Sequence, residues 1–216
     1  MLITRSMNSF LTIAATTLGL ALLAPTAQAA LISGVTASAT MGALIGTRLS
    51  NTLSGAGLPS NTPALSGNHA AVGGGNAWLS TLGLRTGTIT FNLGASYNLS
   101  GFSFWNFNSA NHNLGIRGVT VQSSTDGVSF STVLGAPTEF ARGIDGSMPP
   151  EVFSFSPVTT SYVRFVVASN WGNTNYTGFS EVQFDAAAPA AVPEPTGIVG
   201  LLAVGGVFLT TKRRRA

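Results

Sequence analysis

Short apolar segments with a two-residue alternation dominate the middle of this chain. Ile89, Phe91 and Leu93 alternate with polar residues in one segment, and Val119 and Val121 do so in another. Such alternation places apolar side chains on one face of a β-strand and polar side chains on the other. Residues 152–155 and 182–184 are further segments of this type, and a short strand is expected at 34–40. Residues 102–107 carry apolar side chains on both faces, and 162–167 is a near-continuous apolar run interrupted by Arg164, which predicts a central strand. No stretch between them has a helical period, so the sequence predicts an all-β protein.

Turn-forming residues separate these segments. The turns are predicted at Asn92-Leu93-Gly94, Asp126-Gly127, residues 143–146 and Pro149-Pro150. Strands joined by short turns favour a β-sandwich or jelly roll. Residues 42–75 differ, because they are rich in Gly, Ser, Asn, Ala and Pro and contain few large apolar side chains. We expect long loops there.

The amino terminus has the pattern of a secretory signal peptide over residues 1–29. Arg5 precedes an apolar stretch at 10–24, and Ala27-Gln28-Ala29 has the small-x-small pattern of a cleavage site. Cleavage after Ala29 would leave Ala30 as the mature terminus. The alternative is a retained amino-terminal anchor, which the cleavage site argues against.

The carboxyl terminus combines a proline motif, a short apolar stretch and a basic cluster. Residues 186–191 are expected to form a linker, and an apolar helix is expected at 197–211. Fifteen helical residues span about 22 Å, less than the roughly 30 Å of a bilayer core, so this membrane helix is short. A buried helix or an extra strand is the alternative. The motif residues are Pro193, Glu194 and Pro195, and the basic cluster is Lys212, Arg213, Arg214 and Arg215.

The charge of the chain lies mostly at its ends. The formal net charge is +3, but five of the ten basic residues are Arg5 and the carboxyl-terminal cluster. The body between them is close to neutral and shows no basic patch, which argues against nucleic-acid binding. It contains no Cys, so one domain must fold on packing alone. His69 and His112 are the two histidines, and neither belongs to a nucleophile motif, so the sequence predicts no enzyme.

Two segments combine side-chain amides with aromatic rings. An aromatic face packs against the C–H face of a sugar ring, and amides exchange directed hydrogen bonds with hydroxyl groups. These segments therefore predict carbohydrate binding. The alternative is that the asparagines form turns and that Trp105 or Trp171 belongs to the core. The candidate residues are Trp105, Asn108, Asn111, His112 and Asn113 in the first segment, and Asn170, Trp171, Asn173, Asn175 and Tyr176 in the second.

Four segments in order resemble the discoidin family, the coagulation-factor C-type modules. ITFNLG (89–94) resembles the family's "VDLG" strand, GVTVQSSTDGVSF (118–130) its Asp-Gly hairpin, YVRFV (162–166) its "RYVRI" strand and GFSEVQF (178–184) its closing strand. Trp78-Leu79 matches a "WL" before the first of these. Phe130 departs from the family's Trp, and the terminal disulfide is absent. The resemblance implies a galactose-binding-like jelly roll over residues 30–185, loop-rich over 30–87, with ligands bound by loops at one end.

The same resemblance implies a structural calcium ion, held by loop carbonyls and by Glu181 of the closing strand. Calcium takes six to eight oxygen ligands, which carbonyls and one carboxylate could supply. The alternative is a surface Glu181 paired with Arg164 or with solvent. No other cofactor is expected.

The tail resembles the PEP-CTERM sorting signal of Gram-negative bacteria. This resemblance implies export, transient retention in the inner membrane, processing by an exosortase-type enzyme, and delivery to the cell surface or extracellular matrix. Proteins with this signal accompany exopolysaccharide. Two functions remain open: a carbohydrate-binding module that holds extracellular polysaccharide, and a structural biofilm or surface-coat protein without a specific ligand.

Overall fold

The computed structural model describes residues 30–187, and this part of the chain is an antiparallel β-sandwich. The predicted signal peptide, most of the linker and the sorting tail lie outside the described residues. Within 30–187 no helix is long and apolar enough to cross a membrane. The strands are β1 (Ala30–Leu31), β2 (Thr36–Ala39), β3 (Trp78–Leu79), β4 (Gly87–Asn106), β5 (Val119–Ser124), β6 (Ser131–Thr132), β7 (Glu151–Val167) and β8 (Gly178–Ala186). Three 3-10 helices occur at Leu49–Thr52, Pro59–Asn61 and His112–Leu114.

Two long strands organise the sheet. The strand order is β1-β8-β4-β7-β5-β6, with β2 added on β4 and β3 on β8. The first half of β4 pairs with β2 and with the second half of β7. Its second half pairs with β8 and with the first half of β7. Residues 162–167 therefore lie between β4 and β5, and the prediction of a central strand there is confirmed.

The turn predicted at Asn92-Leu93-Gly94 is wrong, because β4 continues through these residues. The pairing with β7 shifts register between Asn92 and Tyr97 instead. Asn92 Oδ1 accepts the Gly94 N–H at 2.9 Å, and Gly94 has φ +82°. Turn-forming residues inside a long strand thus produce a β-bulge rather than a chain reversal.

The core between the two faces consists mainly of phenylalanine rings. Phe104 stacks on Phe140 with ring centroids 4.0 Å apart and on Phe179 at 5.4 Å. Phe102 packs against Phe165 at 5.3 Å. Such aromatic contacts stabilise a core beyond simple burial, and they let this Cys-free domain fold on packing. The fully buried phenylalanines are Phe91, Phe102, Phe104, Phe140, Phe165, Phe179 and Phe184.

A long irregular segment, residues 42–75, covers the outer face of β4 and β8. We call it the cover loop. Ser103 Oγ donates to the Leu65 carbonyl at 2.6 Å, and Gln183 Nε2 donates to the Leu53 carbonyl at 3.1 Å. Backbone groups of an irregular loop lack the regular hydrogen bonds of a helix or sheet, and here polar side chains on the sheet provide hydrogen bonds to them. The predicted loops at 42–75 are confirmed, and they explain why residues 101–106, at the end of β4, are buried on both faces.

Candidate functional site

The two predicted ligand segments meet at one end of the sandwich. The Trp171 N–H donates to the Gly115 carbonyl at 3.1 Å, and the Asn173 N–H donates to the Asn113 carbonyl at 3.3 Å. Ile116 and Asn170 form an antiparallel bridge between the segments. The backbone therefore holds both loops, residues 108–117 and 168–177, in one rigid unit. We call this unit the amide loops.

Two of the candidate asparagines form turns. Asn170 Nδ2 donates to the carbonyls of Asn173 and Tyr176 at 2.9 and 2.7 Å, and its Oδ1 accepts the Gly172 N–H at 2.9 Å. Asn173 Oδ1 accepts the N–H groups of Asn175 and Tyr176 at 2.8 and 2.9 Å. Asn170 and Asn173 therefore shape the second loop, as the turn-forming alternative predicted.

Trp171 is half-buried and fixed from two directions. Its Nε1 donates to the Phe140 carbonyl at 3.2 Å, and the Arg117 guanidinium carbon lies 4.7 Å from the ring centroid. Arg117 in turn contacts Glu139 at 3.1 Å in an exposed ion pair. Exposed ion pairs contribute at most about 1 kcal/mol to stability. The main effect of this pair is therefore to orient the Arg117 guanidinium over the Trp171 ring. Sequence reasoning did not include Arg117 or Glu139, because they are distant from Trp171 in the chain.

The amide loops also carry polar side chains that the protein does not use. Asn111 and Asn175 are exposed, Asn113 is half-buried, and their amide groups bond to no residue within 30–187. His112 is half-buried, and its Nδ1 lies 3.1 Å from the Ser109 carbonyl. Tyr176 is partly buried and packs on a small apolar cluster. The amide loops thus contain three free amides and one indole, and amides both donate to and accept from hydroxyl groups.

Trp105 and Asn108 lie in the interior and cannot contact a ligand at the surface. Trp105 is 0% exposed, and its Nε1 donates to the Gly67 carbonyl at 3.0 Å. Asn108 is also 0% exposed, and its Nδ2 donates to three carbonyl oxygens. The sequence analysis placed both residues in a ligand-binding segment, but both side chains are buried and donate to carbonyls of the cover loop. For Trp105 the core alternative is correct.

A small apolar surface adjoins the amide loops. Leu82 and Leu84 are 62% and 45% exposed, and the Gly83 N–H between them donates to the Asn175 carbonyl at 2.7 Å. These leucines were not predicted. The glycine between Leu82 and Leu84 predicts a turn, but the sequence does not indicate that this turn lies next to the amide loops.

A shallow polar groove of about 280 Å³ lies elsewhere, on the outer face of the sheet. Thr36 and Ser38 of β2, Thr90 and Asn92 of β4, and Tyr162 of β7 line it. The groove offers a competing surface for a glycan, and a test of the amide loops must separate the two.

Glu181 is fully buried on the outer face of β8. Its Oε1 accepts the Gly55 N–H at 3.0 Å and a hydrogen bond from Gln183 Nε2. Its Oε2 is buried and has no hydrogen-bond partner within 30–187. Burial raises the pKa of Glu181 to about 8, against the opposing effect of the two donors.

The sequence alternative for Glu181, a surface carboxylate paired with Arg164 or solvent, is wrong. Glu181 is 0% exposed. The Arg164 guanidinium lies instead 3.4 Å from the Phe130 ring centroid, and its Nε reaches Thr90 Oγ1 at 3.4 Å. Gly55 of the cover loop contacts Glu181 in place of solvent.

The surroundings of Glu181 Oε2 fit a hard cation. The atom is a buried carboxylate oxygen without a hydrogen-bond donor within residues 30–187. Calcium is bound by carboxylate and carbonyl oxygens. Glu181 Oε1 faces two N–H donors and is not available. Within residues 30–187 no group of three or more His, Cys, Asp or Glu side chains could hold a metal ion.

His69 has a structural position in the cover loop. It is 0% exposed, and its Nδ1 and Nε2 lie 2.7 and 2.8 Å from the carbonyl oxygens of Ala70 and Ala56. Burial lowers its pKa, while these contacts oppose the shift. No exposed nucleophile adjoins it among the hydrogen bonds of residues 30–187, and we assign it no catalytic role.

The four motif segments, the strand order and the loops at one end have counterparts among known proteins. A family model described as the F5/8 type C domain matches residues 51–182, more than half of the chain. This chain belongs to the F5/8 type C domain family. The family was expected from the four segments, and the expectation is confirmed. No curated protein matches the sequence significantly.

Two solved structures show the fold of this F5/8 type C domain. The first is CBM32-1 from a family 31 glycoside hydrolase of Clostridium perfringens, with TM-score 0.52 and 12% identity over 71% of this chain and 95% of that chain. The second is a family 89 glycoside hydrolase of Clostridium perfringens in complex with PUGNAc, with TM-score 0.50 and 19% identity over 76% of this chain. This chain spans only 15% of that hydrolase. At these identities the likeness establishes the fold alone.

Proposed function

We propose that this F5/8 type C domain is a non-enzymatic carbohydrate-binding module of an exported protein, associated with extracellular polysaccharide. The amide loops carry the proposal. They present the unused amides of Asn111, Asn113 and Asn175 beside the fixed ring of Trp171 on a hydrogen-bonded frame. A frame that is already ordered loses little conformational entropy when a ligand binds.

The proposed ligand is neutral and rich in hydroxyl groups. The one cation beside Trp171 in the amide loops, Arg117, is paired with Glu139 and stacked on the ring, which leaves little net charge for an anionic sugar. Amides recognise hydroxyl groups as both donors and acceptors. The solved neighbour named as a CBM32 module is consistent with this proposal, although its likeness concerns the fold.

The test is binding of the wild-type protein and of Trp171→Ala to a glycan array and to purified exopolysaccharide from the producing cells. We expect Trp171→Ala to lose retention while keeping its melting temperature within a few degrees. Asn113→Ala and Asn175→Ala should each weaken retention without affecting the fold. Unchanged retention in all three variants would refute the assignment to the amide loops.

Two controls separate the surface from the interior and from the groove. Trp105→Phe removes the buried hydrogen bond to Gly67 and should lower stability without affecting retention. Ser38→Trp fills the groove on the sheet. Retention lost in Ser38→Trp but kept in Trp171→Ala would move the site to the groove.

A structural surface-coat role is the second candidate function. The exposed Leu82 and Leu84 adjoin the amide loops, and exposed apolar side chains favour association between copies. Analytical ultracentrifugation tests this role. Concentration-dependent association that Leu82→Ser abolishes, together with no glycan retention, would favour the coat protein.

We also propose that Glu181 Oε2 is a ligand of a structural calcium ion, with carbonyls of the cover loop completing its shell. The bound ion would neutralise a buried carboxylate and tie the cover loop to β8. Chelation should then lower the melting temperature. An unchanged melting temperature would count against the ion.

Export and sorting complete the proposal. The signal peptide at 1–29, the PEP-CTERM tail at 192–216 with its apolar helix, the exosortase-type partner and the transient membrane attachment lie outside the described residues and stay predictions. The jelly-roll topology also stays a prediction. Mass spectrometry of the secreted protein would test cleavage at both ends.

A further inference from the structure

The side chain of Asp185 lacks a partner at the point where the described chain begins. Asp185 lies in β8 directly opposite Leu31, and Ala30 pairs with Ala186. Its Oδ1 is buried and has no hydrogen-bond partner within residues 30–187. An unpaired buried carboxylate oxygen destabilises a fold, because it has lost water without gaining a donor.

The backbone nitrogen of Ala30 begins β1, one residue before Leu31, which lies opposite Asp185. Burial raises the pKa of the Asp185 carboxyl, while the Ala30 N–H and the Ser100 side chain oppose this shift by favouring the ionised form. The Ile32 N–H donates to the Phe184 carbonyl at 2.9 Å, which holds β1 on β8. The position of the Ala30 nitrogen is therefore set by the strand pairing.

Cleavage after Ala29 changes the chemistry of this nitrogen. In the precursor it is an amide with one N–H, at the start of a strand that pairs with the Asp185 strand. In the mature chain it is an ammonium group with three N–H donors and a positive charge, since an α-amino group has a pKa of about 8. The two additional donors can reach the oxygen that the precursor leaves unpaired.

We propose that the α-ammonium group of Ala30, released by signal peptide cleavage, forms an ion pair with Asp185 that locks β1 onto β8 in the mature protein. The inference rests on the proposed export. Signal peptide cleavage would then stabilise the fold as well as release the chain. The precursor would be the less stable form, with β1 held by its backbone hydrogen bonds alone.

A double-mutant cycle on the full-length chain tests the ion pair. The precursor is expressed with its own signal peptide in a Gram-negative host, purified in detergent, and its amino terminus is identified by mass spectrometry. One change inserts an alanine between Ala29 and Ala30, which keeps the cleavage motif and moves the ammonium group by roughly 3.3 Å. The other change is Asp185→Asn, which removes the charge at nearly constant shape.

We expect the insertion to lower the melting temperature by about 3–8 °C in the Asp185 background. In the Asp185→Asn background the insertion should have almost no effect. Asp145→Asn is the matched control, because Asp145 is exposed and its variant should respond to the insertion as the wild type does.

Either of two results would overturn the inference. The first is an equal effect of the insertion in the wild-type and Asp185→Asn backgrounds, which would show that no charge pair exists. The second is a mature terminus other than Ala30. Polysaccharide retention, measured on the same proteins, tests the proposed function separately, because none of these changes lies in the amide loops.

Discussion

Replacing the buried Glu181 by glutamine should change how the stability of this domain depends on pH. The folded-state pKa is about 8, above the ordinary value of 4.5, because burial disfavours the carboxylate. Below pH 4.5 the group is protonated in both states and imposes no penalty. As pH rises toward 8 the unfolded chain releases the proton while the folded chain retains it, so stability falls.

The size of the stability loss follows from the difference between the folded-state pKa of Glu181 and its ordinary pKa. Each pH unit from 4.5 to 8 lowers the free energy of unfolding by about 1.36 kcal/mol, for a total of about 5 kcal/mol at most. For a domain of this size that corresponds to a decrease in melting temperature of roughly 10–20 °C. Glu181→Gln keeps the shape and cannot ionise, so it should not show the loss.

The assay is thermal unfolding followed by circular dichroism between pH 5 and 9, with chelator and with calcium. With chelator, the wild type should lose stability as pH rises, and Glu181→Gln should not. Calcium at a hundredfold excess over its Kd should raise the free energy of unfolding of the wild type by about 2.7 kcal/mol at pH 8 and should leave that of Glu181→Gln unchanged. Parallel pH curves for both proteins in chelator would refute the buried-acid reasoning, and equal stabilisation of both by calcium would refute the ligand role.

Four further changes test other parts of the structure. Gly55→Ala should destabilise by at least about 2 kcal/mol in urea unfolding, because Gly55 has φ +75° and a Cβ there would overlap the Thr62 carbonyl carbon. Phe104→Ala should cost about 3–5 kcal/mol in the same measurement, because the ring is stacked on both faces in the core. Asn108→Ala should lower the free energy of unfolding by about 3 kcal/mol but should remove no direct ligand contact. Its glycan affinity, measured below the unfolding temperature, should therefore equal that of the wild type. Trp171→Ala should weaken glycan binding about tenfold or more, measured by isothermal titration calorimetry.

The strands were largely predictable from the sequence. The alternation at 89–93 and 119–122 reports which face of a strand is apolar, and the structure confirms both segments. The wrong turn at Asn92-Leu93-Gly94 arose because the same residues favour a turn and a bulge. Only the pairing of both flanks with β7 decides between them.

The candidate site was predictable in part. Sequence reasoning selected the two segments that the structure joins, but it could not separate free amides from those that form turns or fill the interior. That separation depends on partners such as the cover loop for Asn108 and the Phe140 carbonyl for Trp171. Such partners are far apart in the sequence, and local pattern does not encode their positions.

The sequence by itself determined the all-β class and the family, because these follow from alternation and motif order. Only the tertiary structure decided that Glu181 is buried, that Trp105 is core and that Asp185 lies opposite Leu31 of β1. Burial and the proximity of charges depend on which distant segments pack together. In this domain the segment that matters most is the cover loop, whose sequence has almost no pattern of its own.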